Sequence, residues 1–144
     1  MNISIFGTGY VGLITGACLA RLGHNVLCYD INEDRIALLQ RTEVPFYEPG
    51  LKELITYVTN KNLLHFTTDV QKAANADVVF NCVGTPMNSD GSANLEYVYA
   101  VAKAVSDNTN KKTILCNKST VPPGTAQACK NIVGEHIIVV SNPE

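Results

Sequence analysis

What this 144-residue sequence has little of already narrows its function. Charge of neither sign dominates: Lys and Arg number 11, Asp and Glu 13, and the formal balance is −2. That leaves no basic field for nucleic acid and no acidic tail. No apolar run is long enough to cross a bilayer, and Met1-Asn2 lacks the charged start of a secretory signal. The expectation is a cytoplasmic chain with neither a membrane nor a nucleic-acid partner. Internal repeats and low-complexity tracts are missing too, and the length suits one compact domain spanning 1–144.

Metal-ligand spacing is also missing. None of the five cysteines, Cys18, Cys28, Cys82, Cys116 and Cys129, makes a C-x-x-C pair or joins a histidine at ligand spacing. Zinc and dithiol redox chemistry are therefore poor readings, and no metal is expected. The five read as small, buried, reduced thiols, with Cys82 nearest the expected site. His24, His65 and His136 lie beside expected strands or turns without a partner pattern and read as surface or edge residues. Lys118 would serve as a base only if something lowered its pKa, and the sequence shows nothing that does.

What is present begins at Gly7-Thr8-Gly9-Tyr10-Val11-Gly12, a G-x-G-x-x-G placed where the apolar run Ile3 to Phe6 gives way to a helical stretch. Each glycine permits something a side chain would prevent. Gly7 allows a tight turn off the strand, Gly9 lets the backbone approach a pyrophosphate, and Gly12 lets the helix lie close to the sheet. The phosphates would rest on the free N–H groups and positive dipole end of the helix starting near Tyr10. By itself the motif is compatible with an ordinary glycine turn. Its context is more telling: an apolar helix Val11 to Leu22, Gly23 as its C-terminal stop, and a second strand, Asn25 to Tyr29, ending at Asp30. Asp30 stands 18 residues past Gly12, near the spacing expected of an acid that binds a ribose 2′-hydroxyl.

Further along, the apolar spacing predicts helices over 32–41, from Leu51 through Val58, over 70–75, around Val98 to Val105, and over 125–133. Strands are expected at Leu63 to Thr67, Asp77 to Val83, Thr113 to Asn117 and Ile137 to Val140. The near-continuous apolar run of 77–83 suits a parallel strand covered on both faces. A proline-marked loop occupies 42–50 and a polar loop 88–93. Six strands with intervening helices predict an α/β fold, a Rossmann-type doubly wound parallel sheet in the order 3-2-1-4-5-6. Ligands in such sheets bind beyond the carboxyl ends of the strands, at the switch between the first and fourth.

The segments just past those ends are Gly7 to Gly12, Asp30, Gly84-Thr85-Pro86, Lys118-Ser119-Thr120 and Ser141 to Glu144. Asp30 favours NAD over NADP, because its carboxylate would repel a 2′-phosphate. Arg35 leaves three readings open: a 2′-phosphate contact, a flank to the adenosine, or a solvent-facing side chain. Tyr10 and Val11 would line the pyrophosphate turn, Val11 serving equally well as core. Thr85 and Pro86 would form a floor beneath the dinucleotide or simply end a strand.

The blocks Gly7 to Leu13, Asp30-Ile31-Asn32, Tyr47-Glu48-Pro49-Gly50-Leu51, Val83-Gly84-Thr85-Pro86, Lys118 to Pro122 and Ser141-Asn142-Pro143-Glu144 together resemble the UDP-glucose/GDP-mannose dehydrogenase family. They run from end to end of the chain in the family's order. The resemblance leans toward the members that act on UDP-glucose, with GDP-mannose or UDP-amino-sugar members, or a stand-alone dinucleotide-binding module, as alternatives. It implies an oxidoreductase that converts the C6 alcohol of a nucleotide sugar to a carboxylate with two NAD in succession. The aldehyde is trapped on a cysteine and released through a thioester.

Carried over by position, Gly7, Gly9, Val11, Gly12, Asp30, Arg35, Thr85 and Thr120 become cofactor contacts; Tyr10, Gly84, Pro86 and Ser119 join them from the same blocks. Thr120 and Glu144 become acid–base or water-placing groups. The family's catalytic cysteine belongs to segments past N-P-E and matches none of the five here. The resemblance therefore implies the cofactor domain of a longer enzyme, inactive alone and a homodimer when complete.

Overall fold

The computed structural model describes residues 1–143. Strands β1 (Asn2–Phe6), β2 (Asn25–Tyr29), β3 (Leu64–Thr67), β4 (Val78–Asn81), β5 (Thr113–Asn117) and β6 (Ile137–Ser141) form one sheet in the order β3-β2-β1-β4-β5-β6. Every neighbouring pair is parallel, so the expected doubly wound topology is the observed one. Helices α1 (Tyr10–Arg21), α2 (Glu33–Gln40), α3 (Leu51–Asn60), α4 (Val70–Ala74), α5 (Glu96–Asn108) and α6 (Thr125–Ile132) connect them.

Local chemistry sets the helix ends. Asn32 caps α2 by accepting the Arg35 amide, and Asp69 caps α4 by accepting the Gln71 and Lys72 amides. α1 closes on Gly23 at φ +93°, whose amide bonds Ala20 O while the His24 amide reaches Leu19 O. Those two bonds satisfy carbonyls that the last turn would otherwise leave open, which is why a glycine stands there.

The sheet is covered unequally. One face packs Ile3, Ile5, Val26, Cys28, Leu64 and Phe66 against Leu13, Ala17, Leu39 and Ile55 from the helices. On the other face Phe6, Val79, Leu115 and Ile137 meet Ala73, Val98, Val101, Ala102 and Cys129. The register carries the first face on across Val78, Ile114 and Ile138 and across Phe80, Cys116 and Val140. There Ile114 is 38% exposed, Ile138 56% and Val140 39%.

Two expectations are corrected. β4 ends at Asn81 rather than Val83: the Cys82 amide still bonds Phe6 O at 2.8 Å, after which the chain leaves the ladder to line the opening between β1 and β4. Nor are all five cysteines buried. Cys28, Cys116 and Cys129 are, Cys82 is half-buried, and Cys18 is exposed because its place on α1 faces away from the sheet. Burial pushes the Cys28, Cys116 and Cys129 thiols up, so these three stay neutral.

Gly16 sets the distance between α1 and the sheet. A Cβ there would lie 2.8 Å from Cys28 Sγ and 3.2 Å from Ile5 Cγ1. Gly16→Ala adds overpacking of about 1–3 kcal/mol against a helix-propensity gain of about 1 kcal/mol. We expect a net loss in urea denaturation that Cys28→Ala partly restores; an additive double variant would show that the contact is not limiting.

Candidate functional site

The site is built where the sheet changes direction. β1 and β4 are neighbours, yet the connections leaving them run to opposite sides, and the gap past their ends is a cleft of about 540 Å³. Gly7, Gly9, Asp30, Arg35 and Gly84 line it, together with Phe6, Tyr29, Ile31, Cys82 and Val83. Tyr97, Ala100, Val101 and Ala104 of α5 form the remaining wall.

The three glycines of the turn have separate jobs. Gly7 takes φ +97°, and a Cβ on it would lie 2.9 Å from the Cys82 carbonyl oxygen. On Gly12 a Cβ would sit 2.0 Å from the Gly7 carbonyl oxygen, so it is the turn itself that α1 approaches there, as well as the Cys82 side chain at 3.1 Å. Around Gly9 nothing lies within 4 Å, which leaves an open bed for a ligand at the start of α1. The N-cap of α1 is Gly9, which offers no side-chain cap, and no acid stands in the first turn of the helix, so the positive end of its dipole lies at the cleft. These features fit a pyrophosphate.

Asp30 is only 9% exposed. Its Oδ2 accepts the Thr8 amide at 2.8 Å and the Thr8 hydroxyl at 2.7 Å, and its Oδ1 accepts the Asn32 amide at 3.0 Å. The Arg35 guanidinium stands 3.5 Å from Oδ2. Burial pushes the carboxyl up, but the Thr8 amide and hydroxyl, the Asn32 amide and Arg35 together outweigh it and hold the pKa below the ordinary value. A fixed, ionised carboxylate at the end of β2 suits a ribose hydroxyl and opposes a phosphate. Arg35, on the first turn of α2, pairs with Asp30, an arrangement none of its three readings anticipated, and it lines the cleft while its side chain stays 39% exposed.

Other expected residues gather at the ends of β4 and β5. The Ser119 hydroxyl donates to Val83 O at 2.6 Å, and the Lys118 and Ser119 amides both bond Asn81 O. The Thr85 hydroxyl donates to the Thr120 carbonyl at 3.1 Å, tying the 84–86 turn to the 118–120 segment. Asn81 and Asn117, both fully buried, join at 3.1 Å underneath. Tyr10 turns elsewhere: its ring packs on Phe46 with centroids 5.4 Å apart, and its hydroxyl donates to Glu48, so it secures the 42–50 loop. Val11 is half-buried beside it. Glu144 lies outside the described residues.

The sequence reading passed over Thr8 and the wall from α5. Thr8 sits at a position the glycine motif leaves open. The α5 signal was visible in Tyr97, Ala100, Val101 and Ala104, one helical stripe in which two alanines leave room beside an aromatic. Among the described residues no group of three or more His, Cys, Asp or Glu is placed to hold a metal, and no helix is long and apolar enough to cross a membrane.

A cleft at the sheet's switch point, with an open glycine bed at one end and a braced carboxylate at the other, defines a dinucleotide-binding α/β domain. Comparison with known proteins gives the family. The chain belongs to the UDP-glucose/GDP-mannose dehydrogenase family, whose NAD binding domain matches residues 1–144, and the cofactor is NAD. It is 43% identical to the UDP-glucose 6-dehydrogenase YwqF of Bacillus subtilis, covering 100% of this chain and 34% of that protein. Among solved structures it is similar to a UDP-glucose dehydrogenase of Pyrobaculum islandicum (TM-score 0.92, 38% identity, covering 99% of this chain and 35% of that one). It is also similar to GDP-mannose dehydrogenase of Pseudomonas aeruginosa (TM-score 0.90, 34% identity, covering 100% and 36%). The chain thus spans about a third of the length of the curated relatives it matches.

Asp30 also sets a pH dependence. Its folded pKa is lowered, so it stabilises the fold above its unfolded pKa of about 3.9, and that contribution is lost as pH falls through the folded value. Asp30→Asn should lower the urea midpoint at neutral pH, and the gap to the unsubstituted chain should close progressively below about pH 4. A gap independent of pH would contradict this role.

Proposed function

We propose that residues 1–144 form the cofactor-holding domain of an enzyme that oxidises the C6 alcohol of UDP-glucose to UDP-glucuronate with two NAD. The observation that carries this reading is the cleft: an open glycine bed at the start of a helix, one wall away from a carboxylate fixed for a ribose. The family match supports the reaction class, and the names of the Bacillus and Pyrobaculum relatives support UDP-glucose. A GDP-mannose substrate is the second reading, supported by the Pseudomonas likeness.

NAD, when bound, supplies the hydride acceptor. Gly7, Gly9 and Gly12 shape the turn that receives its pyrophosphate, and the first amides of α1, at Tyr10 and Val11, bind that charge. Asp30 accepts from the adenosine ribose and Arg35 flanks it. Gly84, Thr85 and Pro86 form the floor, with Ser119 and Thr120 bordering the nicotinamide end. Thr120 and Glu144 orient water or move a proton near the reacting carbon. The nucleophilic cysteine and most contacts to the sugar nucleotide come from the further length that the relatives carry, the complete enzyme pairs as a homodimer, and it works in the cytoplasm.

In calorimetric titration the chain should bind NAD more tightly than NADP. Gly9→Ala should lower the melting temperature only by the cost of a poorer N-cap, since nothing lies within 4 Å of the added Cβ, while weakening NAD at least tenfold (about 1.4 kcal/mol or more). Equal affinity for both dinucleotides would sink the Asp30 argument. Supplied with the complete enzyme, UDP-glucose should yield two NADH per sugar, and a preference for GDP-mannose would favour the second reading.

A further inference from the structure

Thr8 occupies a position that the glycine motif leaves unspecified, yet it is fully buried. Both of its donors serve a single atom, Asp30 Oδ2, with the amide at 2.8 Å and the hydroxyl at 2.7 Å. Arg35 Nη1 approaches the same oxygen at 3.5 Å. An ionised carboxylate has about four acceptor positions, two on each oxygen, so Oδ2 is filled. Oδ1 receives the Asn32 amide at 3.0 Å and keeps the remaining acceptor position. The bond joins residues 22 apart in sequence, clamping the end of β2 to the turn after β1. Both ends of that clamp border the same cleft, through Gly7 and Gly9 on one side and Asp30 on the other.

We infer that Thr8 is a specificity-determining positioning residue: its hydroxyl holds Asp30 in the one orientation that leaves Oδ1 to accept the 2′-hydroxyl of the adenosine ribose. The inference rests on the NAD reading above. With Asp30 so held, Arg35 remains paired to it and is not offered to a 2′-phosphate. The hydroxyl therefore acts on cofactor choice without touching the cofactor.

The test is calorimetric titration of the chain and its Thr8→Val and Thr8→Ser variants with three ligands: NAD, NADP, and the NAD analogue lacking the 2′-hydroxyl on its adenosine ribose. Thr8→Val preserves volume and the backbone bond but deletes the hydroxyl. It should weaken NAD about tenfold, the range expected for a hydrogen bond to a charged group. Binding of the deoxy analogue should change less than about twofold, because the contact that depends on Thr8 is already missing from it. NADP should hold or tighten, and Thr8→Ser should restore NAD. An equal loss for NAD and the analogue would make Thr8 a folding residue and overturn the inference, as would unchanged NAD affinity. Should Thr8→Val not fold, Thr8→Ala takes its place with the same expected pattern, and failure of both to fold counts against the inference. A chain that binds none of the three ligands overturns the cofactor reading and this inference with it. Firm NAD binding with a flat Thr8→Val profile overturns this inference alone.

Discussion

The backbone-to-backbone approach at Gly12 is the constraint on which the rest depends. A Cβ there would lie 2.0 Å from the Gly7 carbonyl oxygen, well inside any tolerable contact, so α1 can begin where it does only without one. That start fixes three things together. It places the dipole end of α1 over the β1 turn, brings the turn against Cys82, and leaves the ground above Gly9 empty. Gly16 then repeats the same demand a turn further along, against Cys28 and Ile5 on the sheet. A helix held this close acts as a rigid wall, and the cleft inherits its shape from that wall.

The second organising element is electrostatic. A carboxylate at 9% exposure would resist ionisation if left to itself. Here it is surrounded by donors from three places in the chain: Thr8 on the glycine turn, Asn32 at the α2 cap and Arg35 within α2. Asn32 takes part twice, since its side chain caps α2 and thereby orients the helix that carries Arg35. Local helix capping and the bracing of Asp30 thus share Asn32, and a change made for one is felt by the other. The same economy joins β4 and β5, where Ser119 and Thr85 tie the two strand-end turns together.

How much of this was legible in the sequence follows from the range of each interaction. The strand order was readable because parallel strands and right-handed crossovers leave few topologies for six alternating units. The place of Asp30, just past β2 and beside the cleft, was readable from its distance to Gly12, which a βαβ unit fixes within narrow limits. The end of β4 was not, because Cys82 and Val83 are as apolar as the strand before them, and only the divergence of β1 and β4 removes their ladder partners. Exposure of Cys18 depends on which side of α1 meets the sheet, and α1 is apolar around much of its circumference. Thr8 escaped notice because its partner is 22 residues away and its own position carries no pattern. The outward turn of Tyr10 depends on Phe46 and Glu48 in a loop whose path no periodicity describes.

The unequal covering of the sheet divides the molecule into halves that hold together differently. Strands β2 and β1 are packed on both faces, by α1 on one and α4 on the other, β3 is packed by α1, α2 and α3, and this half contains the glycine turn and Asp30. Beyond β4 the face bearing Ile114, Ile138 and Val140 has no helix over it among the described residues. Local opening free energy follows buried apolar contact, so amide protection should decline from β1 toward β6. The glycine turn and Asp30 therefore rest on the firmer half, while Ser119 and Thr120 are carried by the half that buries less of its sheet.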